Sequence, residues 1–237
     1  DINFIESLSH DFSKYDGELY IQRIMNEDTF KNFKFLLNEH EILRLFDHQN
    51  IIKSFGLYIN DGINHSSILL EHWSLNLDQR VKKEKLSNFE IITILYKIAE
   101  GMRYIHFMNV IHQNLNPESI VITNDSEIKI SEFGHSTLNI RNEITDLSIN
   151  DILTPLEYIA PEMKDCNIYD EKVDVYAFGI LTIYLINGGS IPNIVYNKTL
   201  NTYQIDFSTI ITQYCEDFIL KCINFDCFLQ IGRNFNT

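Results

Sequence analysis

A chain of 237 residues, 45% hydrophobic and 22% charged, can bury a sizeable core as one large domain or as two lobes around a cleft. Its formal net charge of −14 disfavours sequence-independent binding to nucleic acid or to an anionic membrane, both of which reward a basic surface. No apolar run is long enough to span a bilayer, and the N-terminus shows no basic-then-apolar leader pattern, so a cytoplasmic setting is expected. Cys166, Cys215, Cys222 and Cys227 form no C-x-x-C pair. Core thiols in a reducing compartment are the expected reading, with no zinc site.

In chain order, Glu18 to Met25 alternates Leu19 and Ile21 against polar neighbours, which predicts a strand. Phe30, Phe33, Leu36, Leu37, Ile42 and Leu43 recur at helical spacing between Asp28 and Phe46. Strands are predicted over Ile51 to Ile59 and Ser66 to Glu71, around the turn Asn60-Asp61-Gly62. Ser87 followed three residues later by Glu90 is a capping box. It opens a helix whose apolar face runs through Ile91, Ile94, Leu95, Ile98, Met102 and Ile105. A hairpin is expected around Asn124-Asp125, and the remainder reads as helical.

The densest signal lies between Ile111 and Gly134. It begins Ile111-His112-Gln113-Asn114-Leu115-Asn116-Pro117-Glu118-Ser119 and ends Ile130-Ser131-Glu132-Phe133-Gly134. Further on come Ala160-Pro161-Glu162, Asp174-Val175-Tyr176-Ala177-Phe178-Gly179 and Arg233. In order and spacing these segments resemble the catalytic loop, metal-binding loop, activation-segment end and central helix of eukaryotic protein kinases. The resemblance covers Leu19 to Phe235. It implies an α+β, two-lobed protein-kinase-like fold, with a small β-rich N-lobe over 1–71 and a larger helical C-lobe over 72–237. It also implies an ion pair between Glu162 and Arg233, and a hinge at Glu71, His72 and Trp73 behind Leu70.

The charged positions of that pattern are replaced. Asn114 stands where the family has its catalytic aspartate, and an amide accepts a hydrogen bond but is no useful base. Asn116 replaces the lysine that steadies the transferred phosphate. Ser119 replaces the metal-binding asparagine, and Glu132 the metal-binding aspartate, with a stem one methylene longer. Leu19-Tyr20-Ile21-Gln22 resembles V-A-I-K with Gln22 in place of the lysine. Tyr20 is expected to project into the purine space, against Leu70 and Val121. The run Asp11 to Gly17 holds a single glycine, too few for a phosphate-cradling loop.

Gln113 replaces the arginine that would receive an activation-segment phosphate, which makes Ser136, Thr137, Thr145 and Ser148 weak phosphosites. Glu39 falls at the family's C-helix glutamate and, lacking its lysine, is expected to bond Gln22 or turn to solvent. His112, Phe133 and Leu43 match three members of the family's hydrophobic stack, with Ser54 at the fourth. Trp73 is expected to be a half-buried cover over the hinge.

From these replacements the expectation is a catalytically inactive pseudokinase, not an enzyme, with no cofactor and no metal. It would act as a protein-interaction or allosteric regulatory module with an unnamed protein partner. The alternative is a nucleotide-binding form with weak or no phosphotransfer, and a third reading, an active enzyme using Glu132 for metal, is opposed by loss at several separate positions.

Overall fold

The structure, a computed structural model, describes residues 8–15, 18–25, 30–58, 66–138, 154–165, 169–197, 202–205 and 213–223, with side chains from residue 33 onward except 58, 164, 165 and 195–204. It is a two-lobed α+β kinase fold. Strands β1 (Leu8–Tyr15), β2 (Glu18–Met25), β3 (Ser54–Tyr58) and β4 (Ser67–Glu71) form an antiparallel sheet in the order β1-β2-β4-β3. Strand β1 pairs with β2 along its whole length, from Leu8 opposite Met25 to Tyr15 opposite Glu18. Helix α1 (Phe30–Leu43) packs on β3 and β4 and buries Leu36, Ile42 and Leu43.

The second strand begins and ends where the alternation predicts. Strand β3 starts three residues later than expected, because Ile51 is drawn into a parallel bridge with Ile130. The Ile52 amide donates to Ile130 O at 2.9 Å and the Ile130 amide to Asn50 O at 2.9 Å. Those bonds tie the entry to the small sheet onto the large lobe. The turn at 60–62 lies outside the described residues.

The large lobe opens with β5 (Leu75–Asn76) and α2 (Leu77–Lys83), capped by Asn76 and Gln79 in a reciprocal box. Helix α3 (Asn88–Phe107) begins at the expected capping box: Ser87 Oγ accepts the Glu90 amide, and Glu90 accepts the Ser87 amide at 2.8 Å. Its buried face is Ile91, Ile94, Ile98, Met102 and Ile105. Strands β6 (Val110–Ile111), β7 (Ile120–Ile122), β8 (Ile128–Ile130) and β9 (Thr137–Leu138) bracket the polar loops, in a β5-β7-β8 sheet and a β6-β9 pair. A 3-10 turn at Leu156–Tyr158 leads to the short α4 (Pro161–Asp165). Helix α5 (Lys172–Ile186) is apolar around its girth, from Val173 to Leu185, as a helix at the centre of a core must be. Strands β10 (Ile194–Asn197) and β11 (Thr202–Ile205) form a hairpin, and α6 (Gln213–Ile223) packs on α5. A Cβ at Gly179 would stand 2.8 Å from Cys222 Cβ, so only glycine admits that approach.

Candidate functional site

The loop from β6 to β7 is fixed from below by α5. Asp174, 2% exposed, accepts the His112 and Gln113 amides at 2.8 Å each, and lies 2.9 Å from His106 Nε2. His112 is enclosed by the core. Its Nδ1 accepts the Asn114 amide at 3.2 Å while Nε2 faces Ser131 O at 2.9 Å, which selects the neutral Nε2–H tautomer. Desolvation, opposed by Asp174, holds its pKa below the ordinary histidine value.

On that base the replaced residues bond to one another. Asn114 Oδ1 accepts the Thr154 hydroxyl at 2.7 Å and Asn116 Nδ2–H at 3.0 Å. Ser119 Oγ accepts the Asn116 amide at 3.0 Å and donates to Asn116 O at 2.9 Å. Asn116 Oδ1 accepts the Glu118 amide at 2.8 Å. Asn114, Asn116, Ser119 and Thr154 are all buried.

Gln113 supplies a neutral clamp. Its Nε2–H donates to Thr137 Oγ1, and its Oε1 accepts the Tyr169 hydroxyl at 3.1 Å. Ser136 is buried, donating to His112 O at 3.1 Å. Thr145 and Ser148 lie outside the described residues.

The Glu132-Phe133-Gly134 turn closes the loop region, with Glu132 in the left-handed conformation at φ 67°. Phe133 is fully buried and meets His112 edge-on at 4.7 Å between ring centres. Leu43 is buried nearby in α1, and Ser54 lies 3.0 Å from His40 Nδ1. Glu39 differs from expectation in its exposure. It is 2% exposed, and Oε1 accepts the Phe133 amide at 3.3 Å, because the loop supplies the donor that makes burial of a carboxylate tolerable.

At the hinge, Glu71 Oε1 meets Lys129 Nζ at 3.1 Å and Glu71 Oε2 accepts the Lys53 amide at 3.3 Å. Trp73 is half-buried against the core, as expected. His72 Nδ1 is 3.3 Å from Asn124 Nδ2. The backbone register sets Tyr20 opposite Glu71, Ile21 opposite Leu70 and Gln22 opposite Leu69. The side chains of Tyr20 and Gln22, and with them the expected occlusion of the purine space, lie outside the described residues, as does Arg233. Glu162 is buried, and desolvation raises its pKa.

The structure thus brings Asn114, Asn116 and Ser119 into one network, with Glu132 on the adjoining turn. A magnesium ion held in the family's manner does not fit these donors. The Ser119 hydroxyl accepts the Asn116 amide and donates to Asn116 O, so a cation there would have to take it from both partners. Thr154, Tyr169 and Asn38 were not anticipated. Thr154 stands six residues before Ala160, a spacing from the Ala-Pro-Glu segment that could have flagged it. Asn38, beside Glu39, donates from Nδ2 to Gly134 O at 3.0 Å and Ser136 O at 2.8 Å.

Fold and loop geometry together define a protein-kinase domain. The chain belongs to the protein kinase domain family, which it matches over residues 11–231. It is 30% identical to an Aurora kinase of Candida glabrata over 203 residues, covering 82% of this chain and 54% of that protein. It is 27% identical to the Aurora kinase of Saccharomyces cerevisiae over 213 residues, covering 86% and 55%. Fer-related kinase 1 of Caenorhabditis elegans is 25% identical over 177 residues, covering 74% and 44%. The chain spans about half the length of the curated relatives it matches.

This corrects the expectation of a non-enzyme. The family and its relatives are kinases, so the chain falls in an enzyme class. The match runs over nearly the whole chain, which keeps His112, Phe133, Asp174 and Ala160-Pro161-Glu162 of the family pattern. Among the described residues no helix is long and apolar enough to cross a membrane.

Proposed function

We propose that this domain is a regulatory member of the protein kinase family, one that engages a protein partner through the kinase fold and transfers phosphate slowly. The observation that supports it is the closed network on Asn114, whose Oδ1 already accepts Thr154 and Asn116. An amide in that place orients a hydroxyl without taking its proton, and the proton-accepting step then falls to solvent. In the same reading the small lobe runs over 1–71 and the large lobe over 72–237, hinged at Glu71, His72 and Trp73.

The test compares γ-phosphate transfer by the parent protein and by Asn114→Asp. Both groups that bond Asn114 Oδ1 are donors, so a carboxylate fits the network and the variant keeps the fold. The variant is expected to be faster by about 10²–10⁴-fold, the usual reach of a positioned base. A parent rate within the ordinary kinase range of about 1–100 s⁻¹, or a variant no faster than the parent, overturns slow transfer. Partner engagement is read by affinity capture with the native parent and with the same protein irreversibly heat-denatured as the control. Identical captured proteins from both would sink that half of the proposal.

A further inference from the structure

The large lobe carries a cleft to which none of Asn114, Asn116, Ser119 and Glu132 contributes. It lies between α2, α3 and the β7–β8 hairpin and encloses about 510 Å³, within the roughly 300–1,000 Å³ of ligand clefts. Its floor is apolar. Leu86, Ile94 and Ile128 are buried at its base, with Leu75 and Ile122 half-buried beside them. At the rim Phe89 is 79% exposed, and the exposed side chains of Ile92 and Tyr96 follow it at i+3 and i+7 along α3. An apolar floor continued by an exposed apolar ridge is a surface that water wets at a cost, and one fitted to another apolar surface.

The rim brings cations together in a chain whose net charge is −14. Arg80, Lys83 and Lys97 line the cleft, against the carboxylates of Glu84 and Glu90. Both Glu90 oxygens are engaged, Oε1 by Arg80 at 2.9 Å and Oε2 by the Ser87 amide at 2.8 Å and its hydroxyl at 2.7 Å. Lys97 meets Glu127 at 3.0 Å. Lys83, exposed on the last turn of α2, has no carboxylate partner among the described residues. We infer that this cleft is the docking site for an acidic peptide segment of the partner protein, whose aliphatic side chains enter the apolar floor while a carboxylate between them pairs with Lys83. The inference rests on the reading that the domain engages a protein partner, and adds the place and the chemistry. Carboxylates over the rest of the surface repel such a segment, so charge directs it to this rim and apolar contact holds it there.

The probe is a fluorescein-labelled octapeptide of alternating leucine and aspartate, titrated with the whole chain and read by anisotropy. Its binding should weaken about fivefold with Lys83→Glu, the reach of reversing one exposed charge, and about tenfold with Phe89→Ser, which removes an aromatic anchor. Both side chains are exposed, so neither change disturbs the fold. Arg103→Glu makes the same change in net charge at an exposed site about 21 Å along α3 from Phe89. That distance exceeds the Debye length of about 8 Å in physiological salt, so this control should leave the affinity within about twofold of the parent. A lysine-for-aspartate version of the peptide gathers on the surface carboxylates, and its binding should be indifferent to Phe89→Ser. No binding of the aspartate peptide by the parent overturns the inference. So does equal weakening by Arg103→Glu and Lys83→Glu, or a loss with Phe89→Ser that falls on the lysine peptide instead. Failure of the peptide while the native domain still captures a partner removes the cleft and leaves the partner reading standing.

Discussion

The Asp174 carboxylate accepts the Gln113 amide at 2.8 Å while Gln113 sits in the left-handed conformation at φ 64°. A non-glycine residue held there is costly unless its surroundings dictate it. Here a buried carboxylate on α5 dictates it, taking the His112 amide at the same time.

Asp174→Ala should therefore destabilise the domain by roughly 2–5 kcal/mol, because two buried amides lose their acceptor together. Asp174→Asn keeps one oxygen acceptor and should cost less. Urea unfolding of the three proteins checks the order. Equal midpoints would mean that the loop holds its shape without the carboxylate.

Acid should weaken the fold through His112. Its pKa is depressed by burial from the ordinary value of 6.5, so the unfolded chain takes a proton that the folded one refuses. The sign is thus a contribution fully present above about pH 6.5 and lost as pH falls below it. His40 is shifted the same way, again mainly by burial. Burial of Glu162 raises its pKa from 4.5, which works in the opposite sense, weakening the fold as pH rises through a more acidic range. Thermal melts between pH 7.5 and 5.5 should show a smaller drop for His112→Gln than for the parent. A parallel pair of curves would remove His112 as the source.

Gly101 marks where α3 meets β8. A Cβ there would lie 2.7 Å from Ile130 Cδ1 and 3.1 Å from Asn50 O. Asn50 cannot retreat, since its Nδ2 donates to Ile128 O at 3.0 Å and its own carbonyl accepts the Ile130 amide at 2.9 Å. Gly101→Ala should cost about 1–3 kcal/mol as overpacking. Adding Ile130→Val removes the Cδ1 that collides, and the double variant should recover part of the loss. Simple additivity in the cycle would show that the two atoms do not meet.

The sequence displayed those parts of the fold whose signal is local. The capping box at Ser87, the strand from Glu18 to Met25 and the apolar face of α3, on which Leu95 is only partly buried, each depend on neighbours a few residues away, and each came out at the expected place. The two-residue strands β5, β6 and β9 are too short for any periodicity, so only tertiary pairing creates them. The site divides in the same manner. His112, Asn114, Ser119 and Glu132 could be placed by their order in a contiguous pattern. Asn38 looks like any polar helix residue until the fold brings carbonyls from nearly a hundred residues onward against it. Of the two expectations for Glu39, exposure is the one that fails, because nothing local announces the Phe133 amide that makes its burial possible. The step from altered polar groups to a non-enzyme failed for a different reason: it weighed a handful of positions, whereas the family match extends over residues 11–231.

The loop from Asn114 to Ser119, with Thr154 closing it, is held by amides and hydroxyls. Ion pairs soften as dissolved salt shortens the Debye length from about 10 Å at 0.1 M to about 3 Å at 1 M. Neutral dipoles at hydrogen-bond distance inside a buried loop offer the ions nothing comparable to screen. Within that stretch salt finds little to screen, and the charge that fixes its neighbours His112 and Gln113, the Asp174 carboxylate, is buried where dissolved ions reach it far less than they reach a surface pair.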